Sequence, residues 1–126
     1  MPLSVISTFI DEARVAISKL GNFRINCFGH LGDGNLHFNI FPNRGENRED
    51  YDHIRPEIKK TIHDLVHLHG GSVSAEHGIG RLKINDLVKY SDPVKLKLNK
   101  SIKETMDPKG ILNPGVIFAP THKTKK

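Results

Sequence analysis

The chain has a single cysteine and no tryptophan, and none of its apolar runs is long. With Cys27 alone, an intrachain disulfide framework and a cysteine-based zinc finger are both excluded, so a reducing compartment is expected. No stretch approaches the roughly 20 apolar residues that a membrane span needs. The amino terminus lacks a charged segment followed by an apolar one, so a soluble, cytoplasmic chain is expected. Basic residues outnumber acidic ones 19 to 14, a net charge of +5. That surplus is scattered, and its densest run is the tail Lys123, Lys125 and Lys126. Six Phe and two Tyr form no stripe interleaved with it, which argues against nucleic-acid binding. A serine-centred nucleophile motif is missing too, and Gly78-Ile79-Gly80 is too short for a dinucleotide fingerprint.

What remains is one domain's worth of sequence, 126 residues, with clear periodicities and no internal repeat. Val5, Ile6, Phe9, Ala13, Ala16, Ile17 and Leu20 recur at helical spacing over 4–20, with Ser4 as N-cap and Gly21 as the stop. Period two follows. Phe23, Ile25 and Cys27 share one face of a strand over 23–30, and Leu36, Phe38 and Ile40 share one face of a strand over 36–41. Asp33-Gly34 between them is a strong hairpin signal. A helix is expected from Tyr51 to His69, closed by Gly70-Gly71, then a short strand Ser72 to Ala75. With Pro2-Leu3 as the stub of a first strand, the order is β-α-β-β-α-β. This is an α+β, ferredoxin-like antiparallel sheet with both helices on one face. A weak helix around 82–89 and a helix from Pro93 to Met106, capped by Asp92, complete a domain over 1–120. Residues 121–126 are expected to be a disordered tail.

Strand alternation sends Arg24, Asn26, Phe28 and His30, with His37, Asn39 and Phe41, to the face away from the helices. If Asp33-Gly34 is a two-residue turn, His30 lies opposite His37 and Phe28 opposite Asn39. Two imidazoles so placed either share a metal ion or simply line the turn. Glu76 follows the expected fourth strand and, by alternation from Ser72 and Ser74, points to the same face. Two His and one Glu form a ligand set that leaves positions open for a substrate. His77 comes next in sequence and suits a general base, its ordinary pKa lying near neutral. His63 and His67 are expected to be solvated, and Cys27 to be buried packing.

Three ordered motifs carry a resemblance: Gly29-His30-Leu31-Gly32-Asp33-Gly34-Asn35-Leu36-His37, Ala75-Glu76-His77-Gly78-Ile79-Gly80, and Asp107-Pro108-Lys109-Gly110-Ile111-Leu112-Asn113-Pro114-Gly115. Together they resemble the carboxy-terminal domain of the FAD-linked oxidases of the vanillyl-alcohol oxidase type. The nearest members look like D-2-hydroxyglutarate dehydrogenase, D-lactate dehydrogenase and the glycolate oxidase flavin subunit. The resemblance implies FAD as cofactor, held mainly by a domain with no counterpart here. It also implies a divalent zinc or manganese held by His30, His37 and Glu76, His77 as base, Asn39 near the substrate and Asn113 near the flavin. Val116 stands where many members have Lys.

The function that follows is the substrate- and metal-binding part of an FAD-dependent D-2-hydroxyacid dehydrogenase, amino-terminally truncated and inactive alone. Its partners would be a small 2-hydroxy acid and an FAD-binding domain or subunit, with self-association through the uncovered sheet. Two other classes fit the same residues: a non-catalytic interaction subunit, and a small metal-dependent hydrolase in which two His and one Glu activate water.

Overall fold

The computed structural model describes residues 1–119, so the expected tail 121–126 lies outside the described residues. The chain is α+β and divides into two compact units, Met1–Val73 and the segment from Ser74 onward.

In the first unit, a 3-10 turn at Leu3–Val5 leads into helix α1, Ile6–Ser18. Here the expectation is corrected: Pro2-Leu3 is no strand. Ser4 lies within the turn, and the residue before the helix is Val5, which makes no side-chain cap. The helical face itself is as the spacing implies, since Ile6, Phe9, Ala13 and Ile17 are the buried apolar residues among those described. All four belong to α1, and Phe9 and Ile17 are fully covered. Each such burial stabilises by roughly 1.5–3 kcal/mol.

Strands β1, Arg24–His30, and β2, Asn35–Phe41, pair antiparallel as a two-stranded sheet. Ile25 and Cys27 share a face with Leu36, Phe38 and Ile40; on β1 that face is the half-buried one, as alternation requires, whereas β2 is half-buried on both faces from Asn35 to Ile40. Phe38 meets Phe9 edge-on, ring centroids 6.0 Å apart, which seats the sheet on α1.

The register departs from the expected one. His30 pairs with Asn35, Phe28 with His37 and Asn39 with Asn26, so the partners sum to 65 and not 67. The cause is the turn. Leu31–Asp33 forms a 3-10 turn closed by the Gly34 N–H donating to the Leu31 carbonyl, with Gly34 left-handed at φ 63. The connection therefore takes four residues, Leu31 to Gly34, and β1 ends two positions earlier than a two-residue turn would allow. Because the slip is two residues, the period of strand alternation, the faces are preserved.

Helix α2, Arg55–Leu68, begins later than its periodicity suggests, after a separate 3-10 turn at Arg48–Tyr51. Asn47 and Asp50 cap that turn reciprocally. Beyond α2, the Gly70 N–H donates to the His67 carbonyl and the Gly71 N–H to the Val66 carbonyl, with Gly70 left-handed, so the Gly-Gly pair ends the helix as expected. Leu68, placed on the apolar face by its spacing, is exposed. His63 is half-buried, contrary to the solvated position expected for it. His69 holds α2 to α1: its Nε2 lies 2.8 Å from Glu12 Oε2, and its ring meets Phe9 edge-on.

Ser72 to Ala75 is not a strand. Alternation stops at Ala75, whose φ is 44. The second unit then holds helix α3, Ile84–Tyr90, and helix α4, Pro93–Met106. α4 starts as its sequence dictates, with Pro93 in the first turn and the Asp92 carboxylate accepting from the Lys95 N–H at 2.8 Å. Among the described residues no helix is long and apolar enough to cross a membrane.

Candidate functional site

The hairpin presents both candidate imidazoles. His30 and His37 lie on the same sheet face, the one shared with Asn26, Phe28, Asn35 and Asn39, and they are diagonal neighbours and not direct partners. Diagonal side chains stand about 7–8 Å apart at the backbone, within the joint reach of two imidazoles toward a common ion. His37 is held by its true cross-strand partner. Phe28 stacks on it with ring centroids 5.0 Å apart and planes 11° from parallel. Gly29 explains how the strands come this close: a Cβ there would collide with the Asn35 backbone carbonyl. Asn39 follows His37 by two residues on the same face, opposite Asn26.

Glu76 and His77 occupy a turn of the second unit, with the His77 N–H donating to the Ser74 carbonyl at 3.2 Å. The alternation that was expected to aim Glu76 has no strand to act on, so its place in a ligand set rests on the motif. The two neighbours are within loose ionic reach of each other, His77 Nε2 lying 3.7 Å from Glu76 Oε1. Among the described residues no three His, Cys, Asp or Glu side chains are gathered as a metal cluster. The expected donors are divided between the two units.

Within the second unit the structure joins two motifs that are far apart in sequence. The Arg81 guanidinium donates to the Pro114 carbonyl at 2.7 Å, and the Ile117 N–H donates to the Gly80 carbonyl at 2.9 Å. Asn113 is thereby on a loop tied to Gly80 and Arg81, in the turn that follows the one bearing Glu76 and His77. The loop is anchored by Asp107, whose carboxylate accepts from Lys103 Nζ at 2.6 Å, from the Ile111 N–H at 3.0 Å and from the Leu112 N–H at 2.9 Å. The Lys103 hydrogen bond holds the Asp107 carboxyl below the usual carboxylate range, with the Leu112 and Ile111 amides helping and burial opposing. The sequence motifs include Asp107 without assigning it a role, and they include neither Lys103 nor Arg81. An acid four residues after a lysine at a helix end, just before Pro-Lys-Gly, is the signal that was there to find.

Two other features lie off this site. Burial pushes the Cys27 thiol up, with Arg14 pulling it the other way, which suits packing and not nucleophilic chemistry. A cavity of about 1020 Å³ runs along β2 and α2, its walls including Phe38, Tyr51, Ile58 and His63, with Arg55 and Lys59 also lining it.

The three motifs, now placed on a hairpin and on two mutually bonded loops, define a domain of flavin-linked oxidoreductases. The family described as FAD linked oxidases, C-terminal domain, matches residues 1–117, and the chain belongs to it. Among its relatives, the D-2-hydroxyglutarate dehydrogenase of Stutzerimonas stutzeri is 40% identical over 116 residues, covering 90% of this chain and 25% of that protein. A mitochondrial D-2-hydroxyglutarate dehydrogenase of Arabidopsis thaliana is 38% identical over 114 residues, 90% of this chain and 19% of that protein. The D-lactate dehydrogenase of Anaerostipes hadrus is 34% identical over 117 residues, 93% of this chain and 24% of that protein. The chain thus spans a quarter or less of the length of these relatives.

Proposed function

We propose that this chain is the substrate- and metal-binding part of an FAD-dependent D-2-hydroxyacid dehydrogenase and that it works only together with an FAD-binding domain. The observation that carries the reading is the family match over residues 1–117. The hairpin supports it independently, by setting His30 and His37 on one face. Two imidazoles and a carboxylate are a donor set suited to zinc or manganese with positions left for a substrate. In this reading His30, His37 and Glu76 hold the divalent ion, which supplies positive charge to a hydroxyl and carboxylate when bound.

His77 takes the hydroxyl proton of R-CH(OH)-COO⁻ as the C–H bond breaks and the carbonyl of the 2-oxo acid forms. FAD, when bound, would supply the acceptor for the hydrogen and its electron pair. Asn39 would hydrogen-bond substrate from the polar sheet face, and Asn113 would contact the flavin. The lone cysteine favours a reducing, cytoplasmic setting.

The test is a chimera in which this chain replaces the matching quarter of the Stutzerimonas stutzeri relative. It is expected to oxidise a D-2-hydroxyacid with reduction of a dye, and His77→Ala is expected to remove that turnover while leaving bound flavin in place. A folded, flavin-loaded chimera without turnover contradicts the proposal.

A further inference from the structure

Asp107 is the one buried charged residue among those described, its side chain only 3% exposed. Ending a helix does not require this, because a glycine or water satisfies the last carbonyls at no desolvation cost. The carboxylate is instead spent on the loop beyond. It takes both the Ile111 and the Leu112 N–H groups, while Lys103 Nζ bridges from it to the Leu112 carbonyl at 2.7 Å. The Asp107 carbonyl also accepts from the Gly110 N–H at 3.0 Å. Residues 107–112 are thus locked end to end, and a carboxylate out of water is stable only while these donors stay in place.

The lock has a load. Immediately past it come Asn113 at φ 48 and Ile117 at φ 67. Asparagine tolerates the left-handed region, but a β-branched residue there is a true outlier that persists only when neighbouring contacts impose it. The contacts flanking it are Arg81 on the Pro114 carbonyl and the Ile117 N–H on the Gly80 carbonyl. Gly80 is three residues from His77 and four from Glu76.

We propose that Asp107 is a positioning residue: by clamping residues 111–112 it sets Asn113 and, through Pro114 and Ile117, the Gly80-Arg81 segment that follows Glu76 and His77. The inference rests on the reading of Glu76 as a metal ligand for its functional consequence, and on geometry alone for the clamp.

The experiment is amide hydrogen exchange by NMR on the whole chain, with Mn²⁺ titration of the same samples. In Asp107→Asn, the Leu112 and Ile117 amides are expected to exchange at least about tenfold faster, while α1 amides are unchanged. Mn²⁺ affinity is expected to fall about tenfold, the effect of losing a residue that orients a ligand. Should Asp107→Asn fail to fold, Lys103→Met, which leaves the carboxylate and both amide bonds, is expected to give smaller changes in the same direction. Faster exchange at Leu112 with Ile117 and Mn²⁺ binding unchanged would overturn the proposal, leaving Asp107 a local helix cap. A parent chain that takes up no Mn²⁺ counts against the metal reading alone, since Ile117 exchange still decides the clamp.

Discussion

Phe28 lies flat against His37 across the hairpin, ring centroids 5.0 Å apart and planes 11° from parallel. Phe28 is 54% exposed, so its ring serves the histidine more than the core. Such a pair contributes about 0.5–1.5 kcal/mol. Phe28→Ala is therefore expected to weaken zinc binding by up to about tenfold, with little change in thermal stability. Calorimetric titration alongside thermal melting checks this, and an equal loss of both would show that Phe28 packs instead.

Gly29→Ala is expected to be worse than its size suggests, because the added Cβ meets a backbone carbonyl, that of Asn35, which cannot swing aside. A loss of about 1–3 kcal/mol in denaturant unfolding is expected, the range of overpacking. Wild-type stability in the variant would show that the strands separate freely at this point.

The hairpin shows how far the sequence could be read. Which residues share a face follows from period two alone, and those assignments hold, His30 with His37 included. Register depends on how many residues the turn consumes. Asp33-Gly34 is compatible both with a two-residue turn and with the 3-10 turn that Gly34 closes here, so pairing came out two positions away. Pro2-Leu3 and Ser72 to Ala75 failed for another reason: a strand exists only with a partner edge, a non-local condition that no local pattern reports. Helices fared better, α4 best of all, because Asp92 and Pro93 are local signals. The Asp107 lock was not legible as a site, since its partners are backbone amides that any residues could supply.

Phe9→Ala is expected to cost about 3–5 kcal/mol and to unfold the first unit. Phe9 is 1% exposed, touches Phe38 and His69, and is one of four buried apolar residues among those described, so the neighbours cannot readily refill the space. Loss of near-native stability measured by urea unfolding checks it, and a cost below about 1 kcal/mol would place the core elsewhere.

The Asp107 carboxyl titrates below the usual range in the folded chain, with the Lys103 hydrogen bond as the main cause. A depressed folded pKa means that the clamp stabilises the fold fully above the ordinary aspartate pKa. That contribution is lost as pH falls through the lower, folded value. Exchange-protection of the Leu112 amide is therefore expected to hold through mildly acidic pH and to fail only below the usual carboxylate range. Loss of protection near neutral pH would mean that another group controls the loop.

Val94, Leu98, Ile102 and Met106 recur every four residues on α4 and are all exposed, Leu98 and Ile102 by 59% and 61%. The purified chain is expected to be colourless, to lack dehydrogenase turnover, and to self-associate through exposed apolar surface. Sedimentation velocity is expected to show oligomers that Leu98→Glu combined with Ile102→Glu shifts toward monomer. A monomeric parent carrying flavin and reducing a dye with D-lactate would mean that this chain is a complete enzyme.

The proposed function requires His30, His37 and Glu76 to hold one divalent ion. Calorimetric titration of zinc into the chain and into His30→Ala, His37→Ala and Glu76→Ala, each verified as folded, tests it most directly. The expected result is a single saturable site in the parent, weakened at least about tenfold in every variant. Parent-like affinity in Glu76→Ala, or no saturable site in the parent, would contradict it.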